Sequence, residues 1–260
     1  MNDGAWAELG ARAAPSWYLD PAVARQKREV HAALLQRALR YCPSPRLLLK
    51  TDLFEEAFGE DQILGDCPVP CALACGVDYA VTTTARAARR FPHLAAGAAA
   101  ADLRRLPFRD GAFDLILSTS SLDHFATDRE IDAALGELAR VLAPGGVLVL
   151  TFDNLWNPLY HALRLAGRLG ALPFALGRTP SPARIPALLR RQGLETLERH
   201  WLIHNPRGLS TLLFLALRRL LGARADAPIR ALLRLFALGG KLPSRAFTAS
   251  FAAAIARKPA

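Results

Sequence analysis

A chain of 260 residues fits one domain with insertions, and an apolar fraction of 52% is enough for a substantial core. Basic residues outnumber acidic ones 33 to 23, but the arginines are scattered among Leu and Ala with no tract of five or more, which speaks against a nucleic-acid partner. The first fifteen residues lack the basic start and apolar centre of a secretory signal, and no apolar run reaches the roughly 18 residues of a spanning helix, so a cytoplasmic protein is expected.

Pro21 to Tyr41 reads as one helix. Asp20 stands where a cap is needed, Pro21 suits the first helical position, and Val23, Val30, Leu34, Leu35 and Leu39 share a face. Residues 1–44 are expected to form an N-terminal helical segment, a lid or cap on a domain spanning 45–260. Leu47–Lys50 reads as a short buried strand, Phe54–Leu64 as a helix, Leu73–Asp78 as a second strand and Val81–Arg90 as a helix. Ala95–Asp102 is the third strand, although poor in β-formers. Cys67, Cys71 and Cys75 are evenly spaced, but Pro68 and Pro70 prevent a helix that would align them. No second cysteine pair follows, so no metal site is expected.

Phe113–Ser118 reads as the fourth strand. Thr127 and Glu130 form a capping box for a helix whose buried face is Ile131, Ala134, Leu135, Leu138 and Leu142. Pro144-Gly145-Gly146 ends it, and Val147–Phe152 is the fifth strand. Leu194–Trp201 and Phe247–Ala256 supply two more. Strands alternating with helices predict an α/β fold built on a doubly wound, mostly parallel sheet of seven strands. Helical insertions fall at about 154–180 and 207–245. The second reads as two basic amphipathic helices, either a lid over a hydrophobic substrate or an element lying on a membrane surface.

Ligands of open α/β sheets bind outside the carboxyl ends of the strands. The stretch Ala101–Phe152 therefore matters most. Its motifs are Asp102-Leu103, Leu106-Pro107-Phe108, Asp110-Gly111-Ala112-Phe113-Asp114, Leu122-Asp123-His124 and Arg140-Val141-Leu142-Ala143-Pro144-Gly145-Gly146, with Gly76-Val77-Asp78 upstream. In this order they resemble the class I S-adenosylmethionine-dependent methyltransferases of the type 11 kind. The resemblance implies a Rossmann-like sheet, S-adenosylmethionine as cofactor and methyl transfer to a small acceptor. The apolar insertions make that acceptor hydrophobic or lipid-like.

By this resemblance Asp78 accepts the ribose hydroxyls, with Tyr79 beside it, and Asp102 and the Leu103 backbone meet the adenine. Ser118, at the end of the fourth strand, joins the cofactor set. The first loop departs from the pattern acidic-x-Gly-x-Gly: it reads Lys50-Thr51-Asp52-Leu53-Phe54, without glycine until Gly59. Asp52 is expected to take the methionine amino group and Thr51 its carboxylate. The departure also admits a catalytically inactive, methyltransferase-like binding or regulatory protein. The sulfonium is already activated, so a base is required only if the acceptor must lose a proton. His124 is the candidate base, or instead only shapes the acceptor pocket, and Asp123 is a weaker candidate.

Overall fold

The computed structural model describes residues 20–94, 96–170 and 176–260. Helix α1 (Pro21–Ala38) starts where the Asp20 side chain accepts the Ala22 N–H at 2.9 Å. Its Leu34, Leu35 and Ala38 are buried against the sheet. Full burial of a leucine contributes about 1.5–3 kcal/mol, so this face holds the helix in place. Residues 1–19 of the expected N-terminal segment lie outside the described residues.

Strands β1 (Leu47–Thr51), β2 (Leu73–Asp78), β3 (Ala98–Ala100), β4 (Phe113–Thr119), β5 (Leu142–Asp153), β6 (Glu195–Leu202) and β7 (Phe251–Arg257) form one sheet in the order β3-β2-β1-β4-β5-β7-β6. The pairs β3–β2, β2–β1, β1–β4 and β4–β5 are parallel; β7 runs antiparallel to both β5 and β6. One face is covered by α1, by α2 (Phe54–Phe58) and by α3 (Val81–Arg90). The other is covered by α4 (Asp128–Val141) and, with α5 (Pro158–Arg168) lying between them in the chain, by α6 (Ile185–Arg191). The α/β, doubly wound, mostly parallel expectation holds.

Several boundaries differ, each for a local reason. Helix α2 stops at Phe58 instead of Leu64. The Glu56 carboxylate there accepts the Ile63 and Leu64 N–H groups at 3.0 and 3.1 Å, satisfying backbone that a longer helix would have paired. Of the expected third strand only Ala98–Ala100 pairs, and Ala95 lies outside the described residues. The capping box of α4 forms as read, but the helix ends at Val141, because Leu142 is already extended and opens β5. Pro144-Gly145-Gly146 sits in a register shift of that strand, with Gly145 at φ +75°. Strand β7 starts at Phe251, not Phe247. The Asn154 amide donates to the Ala246 and Ala249 carbonyls at 2.8 and 2.9 Å, and Asn157 donates to Ala249 at 2.9 Å, so those residues turn in a short helix, α9 (Arg245–Thr248).

The 207–245 insertion does form two helices, α7 (Leu209–Leu221) and α8 (Asp226–Ala237). They dock through Phe214, Ala225, Ile229 and Leu233, next to Ala22 and Val23 of α1. Leu209, Leu212, Leu213, Leu215 and Leu220 remain exposed. Residues 171–175 of the other insertion lie outside the described residues.

Candidate active site

Strand order reverses between β1 and β4, and a cleft open on one side to solvent lies at the carboxyl ends beside that switch point. Its walls include Asp52, Phe54, Asp78, Asp102, Leu103 and His124.

The first loop replaces glycine with a different device. Asp52 itself takes the left-handed conformation, φ +68°, where a glycine is expected. Its carboxylate accepts the Phe54 N–H at 2.8 Å, and its own N–H donates to the Val77 carbonyl at 2.8 Å. Leu53 turns into the core against Gly76 rather than into the cleft. Lys50, 1% exposed, holds the loop from beneath. Its ammonium donates to the Asp52 carbonyl, to Glu56 at 2.8 Å and to Glu55 at 3.2 Å. Lys27 of α1 reaches the same Glu55 at 3.0 Å and Asp61 at 2.7 Å. Burial alone would lower the Lys50 pKa; Glu55 and Glu56 outweigh it and raise it. Burial would likewise raise Glu55, but Lys27 and Lys50 hold it below the carboxylate range.

Asp78 ends β2. Its two oxygens accept the Leu53 N–H at 2.9 Å and the Ala80 N–H at 2.7 Å. Burial raises its pKa against those two bonds. Each oxygen keeps a further lone pair for a ligand hydroxyl. Asp52 is pushed well up, by burial first and then by Glu55 and Asp78. Asp102 is gripped by Arg104 at 2.6 to 3.0 Å, and Arg104 continues to Glu130 at 2.7 Å. Burial tends to raise Asp102, but the Arg104 bonds prevail and hold it low. Tyr79, 44% exposed, also borders the cleft.

Two expected cofactor residues do not line it. Thr51 and Ser118 are paired in register across β1 and β4, and Thr51 Oγ1 donates to Ser118 Oγ at 3.0 Å beneath the cleft floor. Ser121, whose hydroxyl is 2.7 Å from Thr51 Oγ1, reaches the cleft in their place. His124 lies on the wall, in the turn Leu122–His124 after β4. Burial holds its imidazole below the ordinary value, against Asp153 and Glu55, so it is neutral at pH 7 and able to accept a proton. Asp123 does not line the cleft: it points the other way and accepts the Asp153 N–H at 2.6 Å. Sequence reading also missed Phe54, Ser121 and Thr83 on the cleft wall and the Lys27–Glu55–Lys50–Glu56 cluster behind it. The adjacent pair Glu55-Glu56, close after a lysine at a strand end, was the available signal.

The donor set suits a nucleoside with a cationic tail: carboxylates at the ends of β1 and β2 and after β3, with a neutral imidazole after β4. Comparison agrees. Residues 57–150 match the model of the methyltransferase domain family, beginning just past the atypical loop. The ubiquinone/menaquinone biosynthesis C-methyltransferase UbiE of Cupriavidus necator is 32% identical over 114 residues, 37% of this chain and 46% of that protein. The chain thus spans under half the length of that relative. Among solved structures, the N-methyltransferase NodS of Bradyrhizobium japonicum, in complex with S-adenosyl-L-homocysteine, superposes with a TM-score of 0.59 at 19% identity over 100% of both chains. The [4+2]-cyclase SpnF superposes at 0.51 and 21% identity, covering 88% of this chain and 80% of that one. The likeness to these solved structures is one of fold, and the family match is confined to residues 57–150, which resemble a methyltransferase domain.

Proposed function

We propose that the chain binds S-adenosylmethionine in the cleft and methylates a small, hydrophobic or lipid-like acceptor, an aromatic quinol-type ring being the leading class. The observation that carries this reading is the convergence of Asp52, Asp78 and Asp102 on one cleft with His124 on its wall. Asp78 has the free lone pairs for two ribose hydroxyls, and Asp102 with Leu103 lies where the adenine edge would be read. The carboxylate of Asp52 suits an ammonium group. When bound, the cofactor supplies an activated methyl group on a sulfonium. The chain's own part is to orient the acceptor, exclude water and, through His124, take a proton from an acidic hydroxyl. The inactive alternative requires a first loop that fills the cleft; Leu53 pointing into the core argues against it.

The acceptor class draws on the quinone relatives and on the surface of α7 and α8. Between residues 207 and 245 the sole acid is Asp226, which pairs with Arg218 at 2.5 Å and Arg230 at 3.5 Å. Arg219, Arg224, Arg234, Lys241 and Arg245 stand exposed beside the exposed leucines of α7. Apolar area edged by cations suits an anionic membrane, where each basic residue contributes about 1 kcal/mol. Among the described residues no helix is long and apolar enough to cross one. The test is transfer of a radiolabelled methyl group from S-adenosylmethionine to a naphthoquinol presented in anionic vesicles. Labelled product is expected; cofactor binding without transfer to any quinol would overturn the acceptor class.

A further inference from the structure

Helices α2 and α3 border a second, open groove that shares no lining residue with the cleft. Phe58, Glu60, Arg86, Arg89 and Arg90 line it. Arg86 stands three residues before Arg89 and four before Arg90, the spacings that put side chains on one face of a helix. A cation in the last turn of a helix suits the dipole there, which accounts for Arg89 and Arg90 being basic. It does not account for where Arg86 and Arg90 reach. The Arg86 guanidinium donates through Nε to the Ala57 carbonyl at 3.1 Å and lies 4.3 Å over the Phe58 ring. Arg90 Nη1 donates to the Glu56 and Gly59 carbonyls at 3.3 and 2.7 Å. Both side chains are therefore anchored to the end of α2 before any ligand arrives, and the rotamer freedom that binding would otherwise cost is already lost. A guanidinium carries more N–H donors than these bonds use. The exposed Arg89 side chain has no partner among the described residues.

The groove holds three guanidiniums and one carboxylate, an excess of two positive charges. Glu60, with its side chain 75% exposed, stands 3.9 Å from Arg90, too far for a hydrogen bond. An exposed pair at that distance contributes little, so the cationic excess is not neutralised within the groove. A dianion matches it, and the planar forks of arginine match the oxygens of a phosphate.

We propose that the groove between α2 and α3 binds a doubly charged phosphate group, held by Arg86, Arg89 and Arg90, as free inorganic phosphate or as a phosphomonoester. Nothing in the cofactor reading calls for this site, and it stands without that reading. It nevertheless adjoins the cleft. The Phe54 ring of the cleft wall lies 4.9 Å from the Phe58 ring of the groove, and Thr83 of the cleft wall precedes Arg86 by about one helical turn. A bound phosphate thus ties together the two helices that carry Phe54 and Thr83.

The test is titration of the full chain with sodium phosphate at about pH 8 and low ionic strength, where screening is weak, read by calorimetry and by thermal melting. One saturable site is expected, half filled below about 5 mM. Arg89→Gln should weaken it at least about tenfold, the lower end for hydrogen bonds to a charged group, and this side chain has no partner whose loss would disturb the fold. Glu60→Gln should act in the opposite sense and tighten binding about two- to fivefold, because the competing carboxylate is gone. Arg109→Gln removes an exposed arginine outside the groove and should change affinity by less than about twofold. Glycerol 3-phosphate separates the two sources: affinity at or above that of inorganic phosphate assigns a phosphomonoester, and lower affinity assigns the free ion. No saturable binding of either at about 20 mM, unchanged affinity in Arg89→Gln, a loss in Glu60→Gln, or an equal loss in Arg109→Gln would overturn the site.

Discussion

Replacing Lys50 with methionine is the sharpest perturbation of the first loop. The side chain is 1% exposed and donates to the Asp52 carbonyl, to Glu56 at 2.8 Å and to Glu55 at 3.2 Å. Methionine keeps the volume and removes the charge. Glu55 retains Lys27, but Glu56, with a side chain 0% exposed, keeps only the Ile63 and Leu64 N–H groups. Stranding one partner of a buried pair typically costs about 3–5 kcal/mol. The surviving backbone bonds place Lys50→Met at the lower end, about 3 kcal/mol. For a chain of this size that lowers the melting temperature by roughly 6–12 °C. Urea denaturation and thermal melting measure it. Adding Glu56→Gln to Lys50→Met should recover most of the loss, because the stranded charge is gone. A shift under about 2 °C for Lys50→Met, or no recovery in the double variant, would refute the reasoning.

Asp78→Ala should weaken cofactor binding by about 1.5–3 kcal/mol and also destabilise the loop, since the Leu53 and Ala80 N–H groups lose their acceptor; calorimetry and melting report the two effects separately. His124→Asn should lower kcat by about 10²- to 10⁴-fold with cofactor affinity unchanged, and wild-type activity should stay level above pH 6.5, because burial holds the imidazole below that value. Glu55 has a folded-state pKa below its unfolded one, because Lys27 and Lys50 overcome the effect of burial; its contribution is full above about pH 4.5 and lost as pH falls through the folded value. Lys27→Met should therefore raise the pH at which acid unfolding begins, followed by circular dichroism. Gly177→Ala should lower activity, because a Cβ there would stand 2.7 Å from the Phe125 carbonyl oxygen and press on the turn that carries His124.

The periodic and capped elements were legible in the sequence. Leu73–Asp78, Val81–Arg90 and the Thr127–Glu130 capping box form as read, because burial pattern and cap chemistry point the same way there. The position of Asp78, Asp102 and His124 on the cleft wall was also legible, since each ends or follows a strand at the carboxyl edge of a parallel sheet. What escaped was set by contacts distant in sequence. Helix α2 is cut short by the Glu56 side chain taking backbone groups seven and eight residues on. The start of β7 is fixed by Asn154 and Asn157, about ninety residues upstream. Thr51 and Ser118 were placed in the site because they end strands next to it; the two-residue alternation of strands turns their side chains beneath the floor instead. Lys50 looked like a strand-end charge, and only the packing of α1 and α2 around it shows it as the support of a loop that lacks glycine.

Calorimetric titration of the intact chain with S-adenosylmethionine tests the central claim most directly. The account predicts saturable binding at a single site, abolished or strongly weakened by Asp78→Ala. No heat of binding and no thermal stabilisation by cofactor at about 1 mM would contradict it, since even a site with a millimolar Kd is half filled at that concentration.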